Sequence, residues 1–187
     1  MAAKMQAHHL DTTLLIAIYA VTFVPSLLLV KETKARLLNL KAGLKSLAYL
    51  PITVGFLAAY VLFAAQYVSS LPILGWSWLG YNIALGPYAE SGIFGLLPFI
   101  PPLVYMLIHV NYFEELYFRK SKKLVVIWAF LHIAMGVAVN IALVLLPLGF
   151  LYQRIFLRKG VNNSYALHFA TNIIIVALSI SSYFVST

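Results

Sequence analysis

Long apolar stretches, separated by short polar or basic segments, run along this chain of 187 residues. A membrane-spanning helix needs about 20 consecutive, mostly apolar residues. Residues 124–157 are too many for one span, so we divide this stretch near Asn140 into two short spans. The predicted spans are 13–30, 46–68, 93–118, the two halves of 124–157, and 164–185. The pattern predicts an all-α fold, a polytopic transmembrane helix bundle of about six spans.

The segments between the spans differ in character. In residues 31–45 leucines recur at helical spacing with Lys and Arg between them, which predicts a basic amphipathic helix at the membrane interface. Residues 69–92 are rich in Pro, Gly and aromatic residues and contain no Lys or Arg, which predicts an interfacial loop with aromatic anchors. We therefore treat residues 1–187 as a single membrane-embedded domain, with a polar N-terminal arm at 1–12 and a motif-bearing core at 93–185.

The amino-acid composition supports this class of protein. Hydrophobic residues make up 63% of the chain and charged residues 10%, whereas a soluble domain is about 45–50% apolar and about 25% charged. These values exclude a soluble globular enzyme and a disordered regulator. They also argue against a nucleic-acid partner despite the net charge of +8, because a basic groove needs polar surface around it. The chain has no cysteine, which excludes thiol catalysis, thiolate metal sites and disulfides.

The basic residues predict how the chain is oriented. Twelve of the thirteen Lys and Arg residues lie in three stretches, 31–45, 119–123 and 154–159. With six spans, all three stretches fall on one side of the membrane, which the positive-inside rule assigns to the cytoplasm. Both termini then lie outside, and we expect a multi-pass protein of the cell membrane.

Ionisable side chains inside the predicted spans are the candidate functional residues, because charge is costly in a bilayer. Glu114 and Glu115 lie in the third span, His132 in the fourth and His168 in the sixth. Glu114, His132 and His168 each lie about five to nine residues from a basic stretch, which at ~1.5 Å per residue is roughly 7–14 Å inside the cytoplasmic boundary. Three separate helices therefore bring a carboxylate and two imidazoles to a similar depth.

Local spacing suggests different roles for the two glutamates. Glu115 and Arg119 are four residues apart and can form an ion pair on one helix face. Glu114 is rotated from Glu115 by about 100° and need not share that partner. Asn111 lies one turn before Glu115 and could support it with a hydrogen bond. The spacing thus suggests one structural and one free carboxylate.

The two histidines have polar or aromatic neighbours one turn away. His168 faces the same way as Asn172, and Trp128 stands one turn before His132. Two imidazoles beside a carboxylate can orient water, donate to an oxyanion or bind a metal. Because Glu plus two His is also a ligand set of hydrolytic zinc sites, Glu114 would join the two histidines as a ligand if a metal is bound. The residues themselves leave water activation with or without zinc open.

Three motifs resemble those of the CPBP intramembrane protease family, which includes the CAAX prenyl endopeptidases. The segments EELYFR (114–119), WAFLH (128–132) and HFATN (168–172) resemble the motifs EExxxR, FxxxH and HxxxN of that family. The run LGFLYQR (148–154) is similar to the glycine-led helix that commonly precedes the third motif. The resemblance covers residues 113–172, about a third of the chain, and its three motifs are jointly specific.

The resemblance implies an intramembrane endopeptidase whose site faces the cytoplasm and whose substrate is a membrane-associated polypeptide, lipidated or not. The motif residues divide into a catalytic group, Glu114, His132, His168 and Asn172, and a supporting group, Glu115, Arg119 and Trp128. By analogy Glu114 activates the attacking water, and His132 assists it. His168 and Asn172 stabilise the oxyanion. The family resemblance leaves a requirement for a divalent metal such as zinc open.

Two other functions fit parts of the pattern. A catalytically inactive membrane scaffold or immunity protein would keep the polar network for helix packing, although it has no need of a free carboxylate beside two histidines. A proton-coupled transporter also uses intramembrane Glu and His. A transporter needs polar groups along a path to both faces, however, and the outer half offers few beyond Asn140 and Glu90. We therefore expect the protease.

Overall fold

The computed structural model describes residues 20–21, 23–77 and 100–185, and all regular elements in these ranges are helices. The α-helices with both ends in the described residues are α1 (Thr33–Ala42), α2 (Leu50–Phe63), α3 (Ala65–Ser69), α4 (Ile100–Phe118), α5 (Lys122–Ala134), α6 (Val139–Lys159) and α7 (Val161–Val185). Two 3-10 segments, Val30–Glu32 and Leu44–Tyr49, flank α1. The predicted all-α fold class is confirmed for this part of the chain.

Two helical segments of the described ranges are long and apolar enough to cross a membrane. They are Leu44–Phe63, where a 3-10 turn continues into α2, and α6. Both overlap predicted spans and agree with a membrane protein, whereas the count of six spans and the position of both termini stay predictions. The N-terminal arm, residues 13–19 and 22 of the first predicted span, and residues 78–99 lie outside the described residues.

The helix break predicted near Asn140 is confirmed. α5 ends at Ala134, α6 begins at Val139, and the turn between them contains Gly136 at φ +87°. Because glycine has no Cβ it adopts this positive φ without strain. α5 has 13 residues and is about 20 Å long, shorter than the hydrocarbon core of about 30 Å. The α5–α6 hairpin returns the chain to the end of the bundle at which α5 begins.

The segment after α3 covers the beginning of α6. The backbone N–H of Val139 donates to the Trp76 carbonyl (3.1 Å). The backbone N–H of Asn140 donates to the Leu74 carbonyl (2.9 Å), and its side-chain amide donates to the Ser69 hydroxyl (2.8 Å). The first N–H groups of a helix have no partner within the helix. The described part of the predicted interfacial loop therefore packs on the bundle and supplies these acceptors.

The basic connector forms α1, as the leucine spacing predicts, and packs against α4 and α7. The Arg36 guanidinium lies 3.8 Å from the centre of the Tyr112 ring on α4. Gly43 lies so close to α7 that a Cβ at this position would be 1.9 Å from the Asn162 carbonyl oxygen. Leu37 is about half exposed. The connector is thus part of the helix bundle, and its role at the membrane surface stays a prediction.

The main apolar core lies where α5, α6 and α7 meet. Its buried members are Trp128, Ala129, Leu148, Tyr152, Ile155 and Leu167. At Gly149 of α6, an added Cβ would lie 2.8 Å from Val125 Cγ1 and 2.9 Å from Trp128 Cζ3. Since such distances are too short for an unchanged packing, the missing side chain of Gly149 allows the Trp128 ring to lie directly against α6.

Gly149→Ala is expected to lower the free energy of unfolding by about 1–3 kcal/mol, because the added methyl group displaces the Trp128 ring. Gly55→Ala is the matched control. Gly55 lies inside α2, and apart from the adjacent residues and nearby backbone of that helix no heavy atom of the described residues is within 4 Å of an added Cβ. Alanine there should stabilise the helix by about 0.5–1 kcal/mol. Unfolding of the two variants in detergent, followed by tryptophan fluorescence, measures both effects. Equal effects of the two changes would contradict the packing argument.

Candidate functional site

Glu115 is fully buried and forms the ion pair with Arg119 that the spacing predicts. Arg119 Nε lies 2.8 Å and Nη2 2.7 Å from Glu115 Oε1. The guanidinium is fully buried as well and lies 3.9 Å from the centre of the Trp128 ring. Because a buried charge is tolerated only when it is paired and hydrogen-bonded, each of these two charges depends on the other.

Two residues of α7 occupy the remaining positions around the Glu115 carboxylate. His168 Nδ1 lies 2.8 Å from Oε1. The hydroxyl of Ser164, one turn before His168, donates to Oε2. Both carboxylate oxygens are therefore hydrogen-bonded, and Glu115 joins α4 to α7 as a structural carboxylate.

Glu114 lies on the opposite edge of the same imidazole. Its Oε2 is 3.7 Å from His168 Nε2, and 13% of its side chain is exposed, whereas the Glu115 side chain is fully buried. Arg119 pairs with Glu115 and not with Glu114 among the described ion pairs. The two neighbouring glutamates thus have different environments, one enclosed and fully hydrogen-bonded, the other partly open.

The hydrogen bond to Glu115 determines the tautomer of His168. An ionised carboxylate only accepts hydrogen bonds, so Nδ1 carries a proton and Nε2 of the neutral ring is an acceptor. Asn172 Nδ2 lies 3.2 Å from Nε2 and is the donor there. When Nε2 is protonated it becomes a donor, with the Glu114 carboxylate 3.7 Å away.

Asn172 shares a helix face with His168, as predicted, and also links α7 to α4. Its amide nitrogen donates to Asn111 Oδ1 at 3.0 Å. The spacing also allowed a hydrogen bond from Asn111 to Glu115 on its own helix, but the described partner of Asn111 is the Asn172 side chain on α7. Because Asn111 and Glu115 are one turn apart, α4 and α7 are connected by polar contacts at two successive levels.

His132 contacts Trp128 next to this group. Its Nδ1 is 2.8 Å from the Trp128 carbonyl oxygen. The Trp128 ring centre is 4.9 Å from the His132 ring and 5.6 Å from the His168 ring. Within the described residues, His132 shares no hydrogen bond or ion pair with Glu114 or His168. The structure therefore brings Glu114 together with His168, while His132 contacts Trp128, whose ring also contacts His168.

Three residues of the site were not identified from the sequence. Ser164 binds Glu115, Tyr152 stacks on the His168 ring at 4.8 Å between centres, and Gln153 donates to the Arg119 carbonyl at 3.2 Å. The sequence contained part of the information needed to find them, since Ser164 is one turn before His168, and Tyr152 and Gln153 lie within the run 148–154. These three residues could not be distinguished from ordinary packing residues without knowledge of the neighbouring helix.

Glu114, His132 and His168 were expected to be the ligands if a metal is bound. In the parts of the chain that the structure describes, no three His, Asp or Glu side chains form a group that could hold a metal ion. The steps proposed for this site are assigned to its side chains. A requirement for zinc stays open to direct measurement.

Comparisons with models of protein families, with curated protein sequences and with solved structures find no significant match to this chain. The resemblance to the CPBP proteases therefore rests on the three short motifs, and the function has to be inferred from the site itself.

Proposed function

We propose that this protein is a peptidase of the CPBP type, an intramembrane endopeptidase that hydrolyses a peptide bond in a membrane-associated polypeptide. The observation that carries the proposal is the position of His168 between Glu115 (2.8 Å from Nδ1) and Glu114 (3.7 Å from Nε2). Asn172 adds an amide donor at Nε2 (3.2 Å). This group combines a proton acceptor with hydrogen-bond donors, which is what hydrolysis of an amide by water requires.

Glu114 is the general base of the proposed reaction. Its partial exposure leaves room for a water molecule, and its 3.7 Å contact with His168 leaves its oxygens available as acceptors. Glu115 is unsuited to this role because both of its oxygens are already hydrogen-bonded. As the water oxygen attacks the substrate carbonyl carbon, Glu114 accepts the proton that the water loses.

His168 and Asn172 stabilise the resulting oxyanion. His168 enters the reaction as the imidazolium, after taking up a second proton from solvent on Nε2, and keeps both protons throughout. Its Nε2–H donates to the oxyanion while the Glu115 carboxylate at Nδ1 stabilises the positive charge. The Asn172 amide donates beside it. When the tetrahedral intermediate collapses, Glu114 returns its proton to the leaving nitrogen and the C–N bond breaks. One water is consumed, and a new carboxyl terminus and a new amino terminus are formed.

In the proposed reaction His132 assists the attacking water. The Trp128 carbonyl oxygen lies 2.8 Å from Nδ1 and can only accept, so the proton is on Nδ1 and Nε2 is free to accept a hydrogen bond. This role is the one that the FxxxH-like motif implies. It requires the water to lie within reach of both Glu114 and His132.

The proposed location is the cell membrane, with several spans and with the site near the cytoplasmic side. The support is the clustering of the basic stretches at one end of the bundle. Lys159 Nζ lies 3.1 Å from the hydroxyl of Tyr49, which is close to the end of the connector. Lys122 and Arg154 line one pocket between the beginning of α5 and the end of α6. Glu114 lies five residues before the basic stretch 119–123. The positive-inside rule then assigns this end to the cytoplasm.

Cleavage of membrane-anchored peptides by the reconstituted protein tests the proposal. A peptide library in proteoliposomes is incubated in ¹⁸O-labelled water, and mass spectrometry detects new carboxyl termini that carry the label. Parallel reactions with a zinc chelator, and with zinc added back, measure any metal requirement. Labelled termini that depend on the protein support a hydrolase, and their absence across the library with correctly folded protein contradicts it.

Asn172→Ala is expected to lower kcat by about 10²–10³-fold with a smaller change in KM, because an oxyanion donor acts mainly in the transition state. Asn163→Ala is the control, since the Asn163 amide donates to the Lys159 carbonyl at the start of α7. Steady-state kinetics on one peptide from the library measures both variants. An unchanged kcat for Asn172→Ala would contradict the assigned role.

A further inference from the structure

A pocket of ≈ 460 Å³ lies between the beginning of α5 and the end of α6. Its lining residues are Lys122, Phe150, Gln153, Arg154, Leu157 and Arg158. Gln153 also donates to the Arg119 carbonyl (3.2 Å), so the pocket is next to the helix end that carries the buried ion pair. None of the residues to which the proposed reaction is assigned lines it.

The lining combines an apolar surface with a cationic one. Phe150, Arg154 and Leu157 follow one another at intervals of four and three residues and therefore share one face of α6. The side chains of Phe150 and Leu157 are apolar but remain 37% and 67% exposed. Arg158 lies one turn after Arg154, and Lys122 faces both from the first turn of α5.

The charge of the pocket is unbalanced. Its lining has three basic side chains and no acidic one. The ion pairs recorded in the described residues use Arg119 and His168 as their cations, so Lys122, Arg154 and Arg158 stay without a carboxylate partner there. The dipoles of the two helix ends oppose each other, because α5 begins where α6 ends. The three side chains therefore determine the positive potential.

We propose that this pocket binds an anionic phospholipid, with the phosphate between the three cations and an acyl chain along Phe150 and Leu157. Lys and Arg both bind phosphate, and Arg can do so with two parallel hydrogen bonds. The exposed apolar residues favour a lipid over a free phosphate ion, because a free ion gains nothing from them. This inference rests on the membrane location and does not depend on protease activity.

Native mass spectrometry of the full chain, released from nanodiscs that contain phosphatidylglycerol and phosphatidylcholine, tests the proposal. The wild-type protein should retain phosphatidylglycerol in preference to phosphatidylcholine. The triple variant Lys122→Gln, Arg154→Gln and Arg158→Gln should lose that preference. Each removed cation is expected to weaken retention about fivefold, from about 1 kcal/mol per basic residue near a lipid surface.

The matched control removes the same number of charges from the connector, as Lys34→Gln, Lys41→Gln and Lys45→Gln. These three side chains are exposed and lie outside the pocket, on the predicted interfacial helix, so their loss should weaken retention of phosphatidylglycerol less than loss of the three pocket cations. If the triple variant does not fold, the single variant Arg154→Gln is measured instead, and its retention of phosphatidylglycerol should be about fivefold weaker than that of the wild type. Equal loss of lipid in the control and pocket variants, or displacement of the lipid by inorganic phosphate alone, would overturn the proposal.

Discussion

Glu114→Gln is expected to lower the rate of peptide cleavage by about 10²–10⁴-fold, the usual contribution of a general base. The amide has nearly the same shape as the carboxylate but cannot accept a proton from water. Because Glu114 is partly exposed and its contact with His168 is 3.7 Å long, the change should alter the thermal stability little. Kinetics on a peptide substrate and an unfolding measurement on the same sample separate activity from folding.

Glu115→Gln and Glu32→Gln are the controls for this experiment. Glu115→Gln should lower both activity and stability, since it removes the charge that pairs with the buried Arg119. Glu32 lies exposed before the connector helix, and its replacement should change neither quantity. Full activity of Glu114→Gln would falsify its assignment as the base. Cleavage that is absent even from the wild type, together with loss of stability only in Glu115→Gln, would favour the inactive scaffold.

Arg119→Met is expected to lower the free energy of unfolding by about 3–5 kcal/mol, the usual cost of removing one partner from a buried ion pair. The Glu115 carboxylate would keep its contacts with Ser164 and His168, but its negative charge would lose the only guanidinium paired with it among the described residues. The loss of the stacking contact with Trp128 (3.9 Å) adds to the effect. Thermal unfolding in detergent measures it.

The double variant Glu115→Leu with Arg119→Met tests the origin of that loss. Replacing both members of a buried ion pair by apolar residues is often neutral or stabilising, so the double variant should regain much of the stability. Its cleavage activity should stay low, because His168 Nδ1 then lacks the carboxylate that orients it. Arg158→Met, at an exposed position, is the control for loss of a guanidinium. Equal stability of the single and double variants would show that the buried charge is not the cause.

The relations that could be predicted from the sequence are local ones. The Glu115–Arg119 pair and the shared face of His168 and Asn172 follow from the 3.6-residue period of a helix, once the residues are assigned to helices. The break near Asn140 follows from the length of an apolar stretch that is too long for one span. Both kinds of inference need only the positions of residues along one helix.

Glu114, His132 and His168 were predicted to lie at one depth because each is a similar number of residues from a basic stretch. Distance from a basic stretch gives a position along the helix axis, and Glu114 and His168 do meet at 3.7 Å. The distance from a basic stretch contains no information on the rotation of each helix about its axis. Both histidine rings contact the indole of Trp128, but of the two only His168 forms a described ion pair with Glu114, although all three residues were placed at one depth.

The sequence by itself determined the all-helical class, the apolar segments long enough to cross a membrane, the separation of two neighbouring glutamates by helical rotation, and which residues share a helix face. Only the tertiary structure decided that Ser164 and His168 enclose Glu115, that Asn111 pairs with Asn172, and that three cations face a pocket without an acid. The physical reason is that these contacts join residues far apart in the chain. Their distances depend on how each helix is rotated and packed against the next, which no period within a single helix specifies.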